Sequence, residues 1–144
     1  QAVESLGQLS LWKLAIKPGK PFSYGRIHDV PFFGLPGNPV AVFVTFVMLV
    51  RPYLLKMQGA GNLSLPKFRA KVDFDISAVN SRQEFIRVKL NEDAQGEQVL
   101  EAYGNQGSSI MTSLSWADGL AEIPAGETVT RGQRLNYFPF KGML

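Results

Sequence analysis

The chain reads Gly34-Leu35-Pro36-Gly37-Asn38-Pro39 just before its most apolar segment, and this stretch predicts where the main helix begins. The Pro-Gly pair is typical of a type II turn, because proline presets φ at the first central position and glycine tolerates positive φ at the second. Asn38 is a favoured N-cap. Pro39 suits the first helical position, where the amide that it lacks would be unpaired anyway. A helix is therefore predicted from Pro39 to about Met57.

The predicted helix is apolar on nearly every side as far as Val50, which is typical of a buried helix. Its longest strongly apolar run, residues 41–50, falls well short of the roughly 20 residues that cross a bilayer, so no membrane span is predicted. Pro52 predicts a kink, since its ring clashes with the preceding turn. The glycine-rich residues 59–61 should end the helix. We expect one helix face to pack on a sheet and the other on a second subunit.

Lysines cluster in the segment that leads towards this helix. Residues 11–17 alternate between apolar and polar side chains, which predicts a strand with Lys13 and Lys17 on one face, roughly 13 Å apart. The Pro-Gly pair that follows predicts another type II turn, which returns Lys20 to the same region. Helix N-termini favour anions, and lysines add full positive charges. Together with residues 37–39 the lysines could form an anion site, although spacing alone favours solvated lysines beside a good cap.

The rest of the chain predicts a hairpin and then a β-domain. Aromatic-rich runs on either side of His28-Asp29 predict an antiparallel pair around a short turn. His28 is the only histidine and has no partner with which to bind a metal. Residues 59–66 are small, polar and turn-rich, which predicts a boundary between domains at 1–61 and 62–144. The second domain should be a small barrel or sandwich. Its predicted strands are residues 67–73, 83–90, 97–103, 119–123 and 133–138.

The composition excludes several classes of function. The chain has 144 residues, of which 45% are hydrophobic and 19% charged, as in an ordinary soluble globular protein. It has no cysteine, which excludes disulfides, thiol nucleophiles and Cys-ligated metal sites. The net charge of +3 comes from scattered basic residues, so no nucleic-acid partner is predicted.

Two further segments could carry chemistry. The loop at residues 105–113 is rich in hydroxyl groups that could donate hydrogen bonds to a ligand, although serine and glycine also simply form turns. Asp73 and Asp75 would share one face of a strand, as paired carboxylates for magnesium might, but a solvated strand end is the favoured interpretation.

Two groups of motifs carry a family resemblance. Residues 11–22, which contain Lys-Pro-Gly-Lys, and residues 33–40, which contain Gly-Leu-Pro-Gly-Asn-Pro, closely resemble the MoeA family of molybdopterin molybdenumtransferases. The C-terminal part of gephyrin also belongs to that family. Residues 106–108, 113–114 and 117–124 resemble the family's C-terminal domain. The resemblance implies an α/β fold class for residues 1–61, as the C-terminal part of a molybdopterin-binding domain, followed by an all-β small barrel or sandwich.

The activity implied by the resemblance is insertion of molybdate into the dithiolene of adenylylated molybdopterin, with release of AMP and a requirement for magnesium. Lys13 and Lys17 would be catalytic and would contact the anionic substrates. Pro36 and Pro39 would shape the loop at the helix start, and Ser108 would add a contact from the second domain. Lys20 joins this set because the predicted turn after Lys17 returns it to the same region. The substrate-binding residues expected are thus Lys13, Lys17, Lys20, Pro36, Gly37, Asn38, Pro39 and Ser108.

The resemblance also sets expectations for the whole protein. Family members have a longer N-terminal region with acidic residues for magnesium and molybdate, so we expect no metal ligands in this chain and an N-terminus that begins mid-protein. A homodimer, a cytoplasmic location and molybdopterin adenylyltransferase as a partner are expected, with no membrane partner. The alternative is a non-catalytic molybdopterin-binding or scaffold module, which the upstream sequence would distinguish.

Overall fold

A computed structural model describes residues 7–12, 15–107 and 110–143 of the chain. It shows a three-stranded sheet, a long helix and a β-barrel, which confirms the predicted α/β segment followed by a β-domain. The strands are β1 (Gly7–Trp12), β2 (Ile16–Lys17), β3 (Phe22–Ile27), β4 (Val30–Gly34), β5 (Phe68–Val72), β6 (Gln83–Glu92), β7 (Gln98–Ala102), β8 (Gly119–Ile123) and β9 (Arg134–Pro139). The helical segments are α1 (Pro39–Thr45), a π segment (Phe46–Val50), α2 (Arg51–Met57) and α3 (Thr112–Trp116).

The first sheet is antiparallel, in the order β1-β3-β4. β3 and β4 form the predicted hairpin, in which Ile27 pairs with Val30 across the two turn residues. Those residues, His28 and Asp29, both have positive φ, as a type I′ hairpin turn requires. The hairpin packs on the helix through aromatic rings, since Phe33 lies edge-on to Tyr53 at 5.1 Å between ring centroids.

The helix runs without a break from Pro39 to Met57, as predicted, and contains one wide turn. Asn38 has the extended backbone of an N-cap, and its carbonyl accepts the amide of Val42 at 2.9 Å. In the π segment the Arg51 amide donates to the Phe46 carbonyl, five residues back. Pro52 follows at once, and it would clash with the preceding turn of a regular α-helix. The chain thus accommodates this proline with a π turn.

The helix ends at the predicted glycines in a Schellman-type arrangement. Gly59 has φ +76°, and the Ala60 amide donates to the Leu55 carbonyl at 3.0 Å. By length and composition the 19 residues Pro39–Met57 are sufficient to cross a membrane, a test that the core helix of a soluble protein also passes. Here Val40, Val44 and Val47 are buried against the barrel.

The β-domain is a barrel, closed because β6 pairs with both β7 and β8. The ring runs β6-β7-β5-β9-β8. Within the ring, β5 and β7 are parallel and the other described neighbours are antiparallel. Alternate side chains on each strand point inwards, as the two-residue period of a strand requires. The interior is formed by Ala70, Val72, Ile86, Val88, Leu100, Ala121, Ile123, Leu135 and Tyr137.

A second core joins the helix to the outside of the barrel. Phe85, Leu120 and Phe138 precede or follow inward-facing residues, so they point outwards and meet the valines of the helix. The helix and the barrel therefore share one buried apolar cluster, although they fall on opposite sides of the predicted boundary at residues 61/62. That boundary stays a prediction.

The structure corrects three local predictions. Residues 11–17 do not form one strand, because β1 pairs with β3 in the first sheet whereas β2 pairs with β6 of the barrel. The Lys17–Pro18 peptide bond is cis, and Gly19 does not have the positive φ that the predicted type II turn requires. Gly37 also lacks positive φ, so the type II turn predicted before the helix is wrong too.

Candidate anion-binding cleft

A cleft of about 360 Å³ opens where β2 meets the barrel. Its walls come from the turn after β2, the first turn of the helix, the start of β6 and the loop after β7. The side chains and backbone that line it are Lys17, Pro18, Gly19, Lys20, Ala41, Arg82, Glu84, Gln106 and Gly107. In the part of the chain that the structure describes, three cationic residues and one carboxylate therefore line the same space.

Strand pairing explains why Lys17 reaches this cleft. β2 lies parallel to the start of β6, so that Ile16 is paired with Gln83 and Lys17 with Glu84. The Gln83 amide donates to the Ala15 carbonyl at 2.9 Å, and Arg82 donates to the Ile16 carbonyl at 3.2 Å. The Lys17 ammonium lies 2.9 Å from the nearer Glu84 carboxylate oxygen, with 42% of the lysine side chain exposed.

The opposite wall is a loop that is fixed to β6 by a side-chain amide. Gln106 accepts the Arg87 amide at 2.9 Å and donates to the Arg87 carbonyl at 3.0 Å. It also donates to the Tyr103 carbonyl at 2.8 Å. The Gln106 side chain thus bonds to the backbone of β6 as a neighbouring strand would, although β7 has already ended. These bonds fix the loop beside β6, and the loop places Gly107 in the cleft wall.

Arg87 supports the same loop from inside the protein. Arg87 is only 1% exposed to solvent. Its guanidinium donates to the Gly107 carbonyl and to the Ser113 hydroxyl, both at 3.0 Å. Burial lowers the pKa of Arg87, and the negative charge of Glu84 opposes that shift. The guanidinium is thus a buried cation, which the loop carbonyls and the nearby carboxylate compensate.

The predicted site residues are distributed unevenly over this arrangement. Lys17 and Lys20 both line the cleft, as the anion-site prediction requires. Lys13 and Ser108 lie outside the described residues, although Gly107, the chain neighbour of Ser108, is in the cleft wall. The cleft meets the helix at Ala41. In residues 36–39, Pro36 is buried, whereas Gly37 and Asn38 are exposed. Binding by these four residues stays a prediction.

Sequence reasoning missed Arg82, Glu84, Arg87 and the anchoring role of Gln106. Glu84 and Arg82 stand in an alternating strand pattern, in which charged residues are typical of a solvated face. The signal for Gln106 was present, because it lies in the motif that resembles the family's C-terminal domain.

The acidic pair Asp73 and Asp75 contacts Arg131. Asp73 forms an ion pair with Arg131 at 3.1 Å, and Asp75 accepts the Arg131 amide at 2.8 Å. Over residues 7–12, 15–107 and 110–143, no three His, Asp or Glu side chains converge to hold a metal ion. The resemblance implies magnesium ligands in the family's longer N-terminal region, and the described residues of this chain contain no cluster that would hold the ion.

Comparison with known families accounts for both parts of the chain. Residues 69–140, half of the chain, match the MoeA C-terminal region, domain IV. This chain belongs to the MoeA family. Residues 1–56 match a probable molybdopterin binding domain, so the family match covers the helix, the lysine segment and the barrel.

Individual relatives agree with the family assignment. A molybdopterin molybdenumtransferase of Haemophilus influenzae is 36% identical over 136 residues, which are 89% of this chain and 34% of that protein. The molybdenum cofactor synthesis protein cinnamon of Drosophila melanogaster is 39% identical over 78% of this chain and 19% of its own length. The chain thus spans about a third or less of these relatives.

Solved structures of the family have the same fold. A molybdopterin biosynthesis MoeA protein from Pyrococcus horikoshii superposes with a TM-score of 0.75 at 35% identity, covering 96% of this chain and 34% of that one. A molybdenum cofactor biosynthesis protein from Pyrococcus furiosus gives a TM-score of 0.71 at 30% identity, covering 93% of this chain and 46% of that one. The arrangement of helix and barrel described above is therefore a family property.

Proposed function

We propose that this chain supplies part of the substrate site of a molybdopterin molybdenumtransferase in molybdenum cofactor biosynthesis. The observation that carries the proposal is the convergence of Lys17 and Lys20 on one cleft with the family's Gln-Gly loop. The reaction proposed is insertion of molybdate into the dithiolene of adenylylated molybdopterin, with release of AMP. These substrates carry phosphate, dithiolene and oxoanion charges, which a cleft with three cationic groups suits.

The chemical role proposed for the cleft is to hold anions that repel one another. Lys17 has three N–H donors and Arg82 has five, so the cleft offers more donors than its internal contacts use. Positive groups fixed in place lower the electrostatic cost of bringing molybdate close to an anionic pterin, and they hold the two in one orientation. In this proposal Lys13 adds a further ammonium, and Ser108 a hydroxyl donor beside Gly107.

The described residues contain no cluster of ligands for magnesium, and the proposal gives none of them a role in binding that ion.

The proposal includes three expectations that rest on the family resemblance alone: a homodimer, a cytoplasmic location and receipt of the substrate from molybdopterin adenylyltransferase. Size-exclusion chromatography with light scattering of the full-length protein tests the first of these.

Replacement of Lys17 tests the proposed function. We expect Lys17→Ala to weaken molybdopterin binding by about 1 to 3 kcal/mol, because one charged hydrogen bond is lost. In the full-length protein the same change should reduce molybdoenzyme activity in a molybdenumtransferase-deficient strain. Isothermal titration calorimetry measures the binding, and a nitrate reductase assay of the complemented strain measures the activity.

The matched control is Lys56→Ala, which removes an exposed lysine at the end of the helix and should leave both readouts unchanged. Unchanged affinity and full complementation by Lys17→Ala would remove Lys17 from the mechanism. Molybdopterin binding by the full-length wild-type protein without complementation of the strain would favour the non-catalytic binding module.

A further inference from the structure

Among the described residues that line the anion-binding cleft, Glu84 is the one carboxylate, and it is already paired with a lysine of the cleft. Glu84 lies 2.9 Å from the Lys17 ammonium, and both residues line the cleft. The pairing follows from the fold, since β2 and β6 place these two residues at the same register position. The cleft therefore contains its own anion, which occupies a lysine that the proposed function assigns to the substrate.

Glu84 is fixed more firmly than the lysine that it holds. Its side chain is 15% exposed, against 42% for Lys17. Its second carboxylate oxygen accepts a hydrogen bond from the Asn80 side-chain amide at 3.4 Å. Asn80 is itself ordered by the Arg82 amide, which donates to its side-chain oxygen at 3.1 Å. The Glu84 carboxylate is thus held in place by the surrounding protein, whereas the Lys17 side chain is more exposed to solvent.

Stability does not explain the pair. An ion pair with one partner this exposed contributes little to folding, because solvent screens it and ordering the lysine costs entropy. What the pair does change is the charge that an incoming ligand meets. With Glu84 ionised, the charged groups of the described lining residues sum to two positive charges, and without its charge they would sum to three.

We propose that Glu84 is a specificity-determining residue, the resident counter-ion of Lys17, which an incoming anion must displace or share. The proposal rests on the proposed function, in which Lys17 binds the anionic substrates. A small anion with a single charge gains too little from the cleft to displace the carboxylate. A ligand with several anionic groups engages Lys20 and Arg82 at the same time, and so it can compete for Lys17.

Inorganic diphosphate is a suitable probe, because it carries several charges and no pterin. We expect Glu84→Gln, which keeps the shape and removes the charge, to bind diphosphate roughly three- to tenfold more tightly than the wild-type chain by calorimetry. The gain should shrink as sodium chloride is raised from low to high concentration, since the interaction that is removed is electrostatic. The gain for nitrate, with a single charge, should be smaller.

Two variants separate charge from shape, and a third controls for net charge. Glu84→Thr removes the carboxylate with a different side chain and should give the same gain, even if the glutamine variant folds poorly. Glu84→Asp keeps the charge and should stay close to the wild type. Glu101→Gln removes an exposed carboxylate outside the cleft wall and should leave diphosphate affinity unchanged.

The proposal would be overturned if Glu84→Gln and Glu84→Thr both bound diphosphate with the same affinity as the wild type. Weaker binding by both variants would also overturn it, because Glu84 would then be a residue that only positions Lys17. Absence of diphosphate binding by every variant would also overturn it. Molybdopterin binding by the wild-type chain is a separate measurement. Its failure would remove the proposed function, while the comparison of diphosphate affinities would still report on Glu84.

Discussion

At the scale of single residues, Arg87 is a buried side chain that supports the cleft loop from inside the protein. It is almost fully buried and donates to the Gly107 carbonyl and the Ser113 hydroxyl, which lie 20 and 26 residues further along the chain. We expect Arg87→Ala to lower the free energy of unfolding by about 2 to 4 kcal/mol, because it leaves buried acceptors unpaired and opens a cavity. Urea denaturation followed by far-UV circular dichroism measures the loss.

The control for this prediction is Arg131→Ala. Arg131 is also an arginine paired to polar partners, but 64% of its side chain is exposed, and its ion pair with Asp73 lies at the surface. Its removal should cost less than about 1 kcal/mol. Similar losses for the two variants would show that burial does not set the contribution of Arg87.

Arg87 also shows where sequence reasoning ends at this scale. The strand that contains it was predicted as residues 83–90, and it is observed as Gln83–Glu92. The run Phe85 to Val88 is buried throughout, because the barrel interior covers one face of the strand and the helix covers part of the other. The alternation of apolar and polar residues along a strand does not predict that a charged residue in such a run is buried. The groups that pair with Arg87 come from a loop about 20 residues further along the chain.

At the scale of secondary-structure elements, the hairpin of β3 and β4 is held to the helix by aromatic rings. Tyr53 contacts Phe33 at 5.1 Å and Tyr24 at 5.9 Å between ring centroids. We expect Tyr53→Ala to increase hydrogen exchange of the β3 and β4 amides by roughly 5- to 30-fold, because about 1 to 2 kcal/mol of local packing is lost. Exchange measured by mass spectrometry resolves the hairpin peptides from those of the barrel.

Tyr53→Phe is the matched variant, since it keeps the ring and loses only the contact of 3.4 Å between the hydroxyls of Tyr24 and Tyr53. Hairpin exchange in this variant should stay close to that of the wild type. An increase in Tyr53→Ala that is equally large in the barrel strands would mean that the hairpin does not open as a separate element.

The elements that sequence predicted correctly are those specified by neighbouring residues. The helix over residues 39–57 follows from its apolar composition and first-position proline, and the hairpin follows from two aromatic runs around a two-residue turn. β2 has only two residues, and its parallel pairing with β6 joins segments 67 residues apart in register. No local pattern specifies such a pairing, so the sheet to which Lys17 belongs could not be predicted, although its clustering with Lys20 could.

At the scale of the whole molecule, the shared core predicts that the helix and the barrel unfold together. Val44 is fully buried in that core, where the cluster includes Phe85, Leu120 and Phe138 of the barrel. We expect Val44→Ala to lower the free energy of unfolding by about 1 to 3 kcal/mol, since it removes two buried methyl groups and leaves a cavity. Hydrogen exchange under conditions of global unfolding should show the same loss for amides of the helix and of β6.

Val79→Ala is the control, because Val79 is 61% exposed in the loop before β6 and the same atoms are removed. It should change neither region. Loss of protection in the helix alone, with β6 unaffected by Val44→Ala, would mean that the two predicted domains are energetically independent. Equal losses would mean that the cleft between them is formed by one cooperative unit. In that unit, the packing of Val44 stabilises the relative position of Lys17 on β2 and Gly107 in the loop, although neither residue belongs to the shared core.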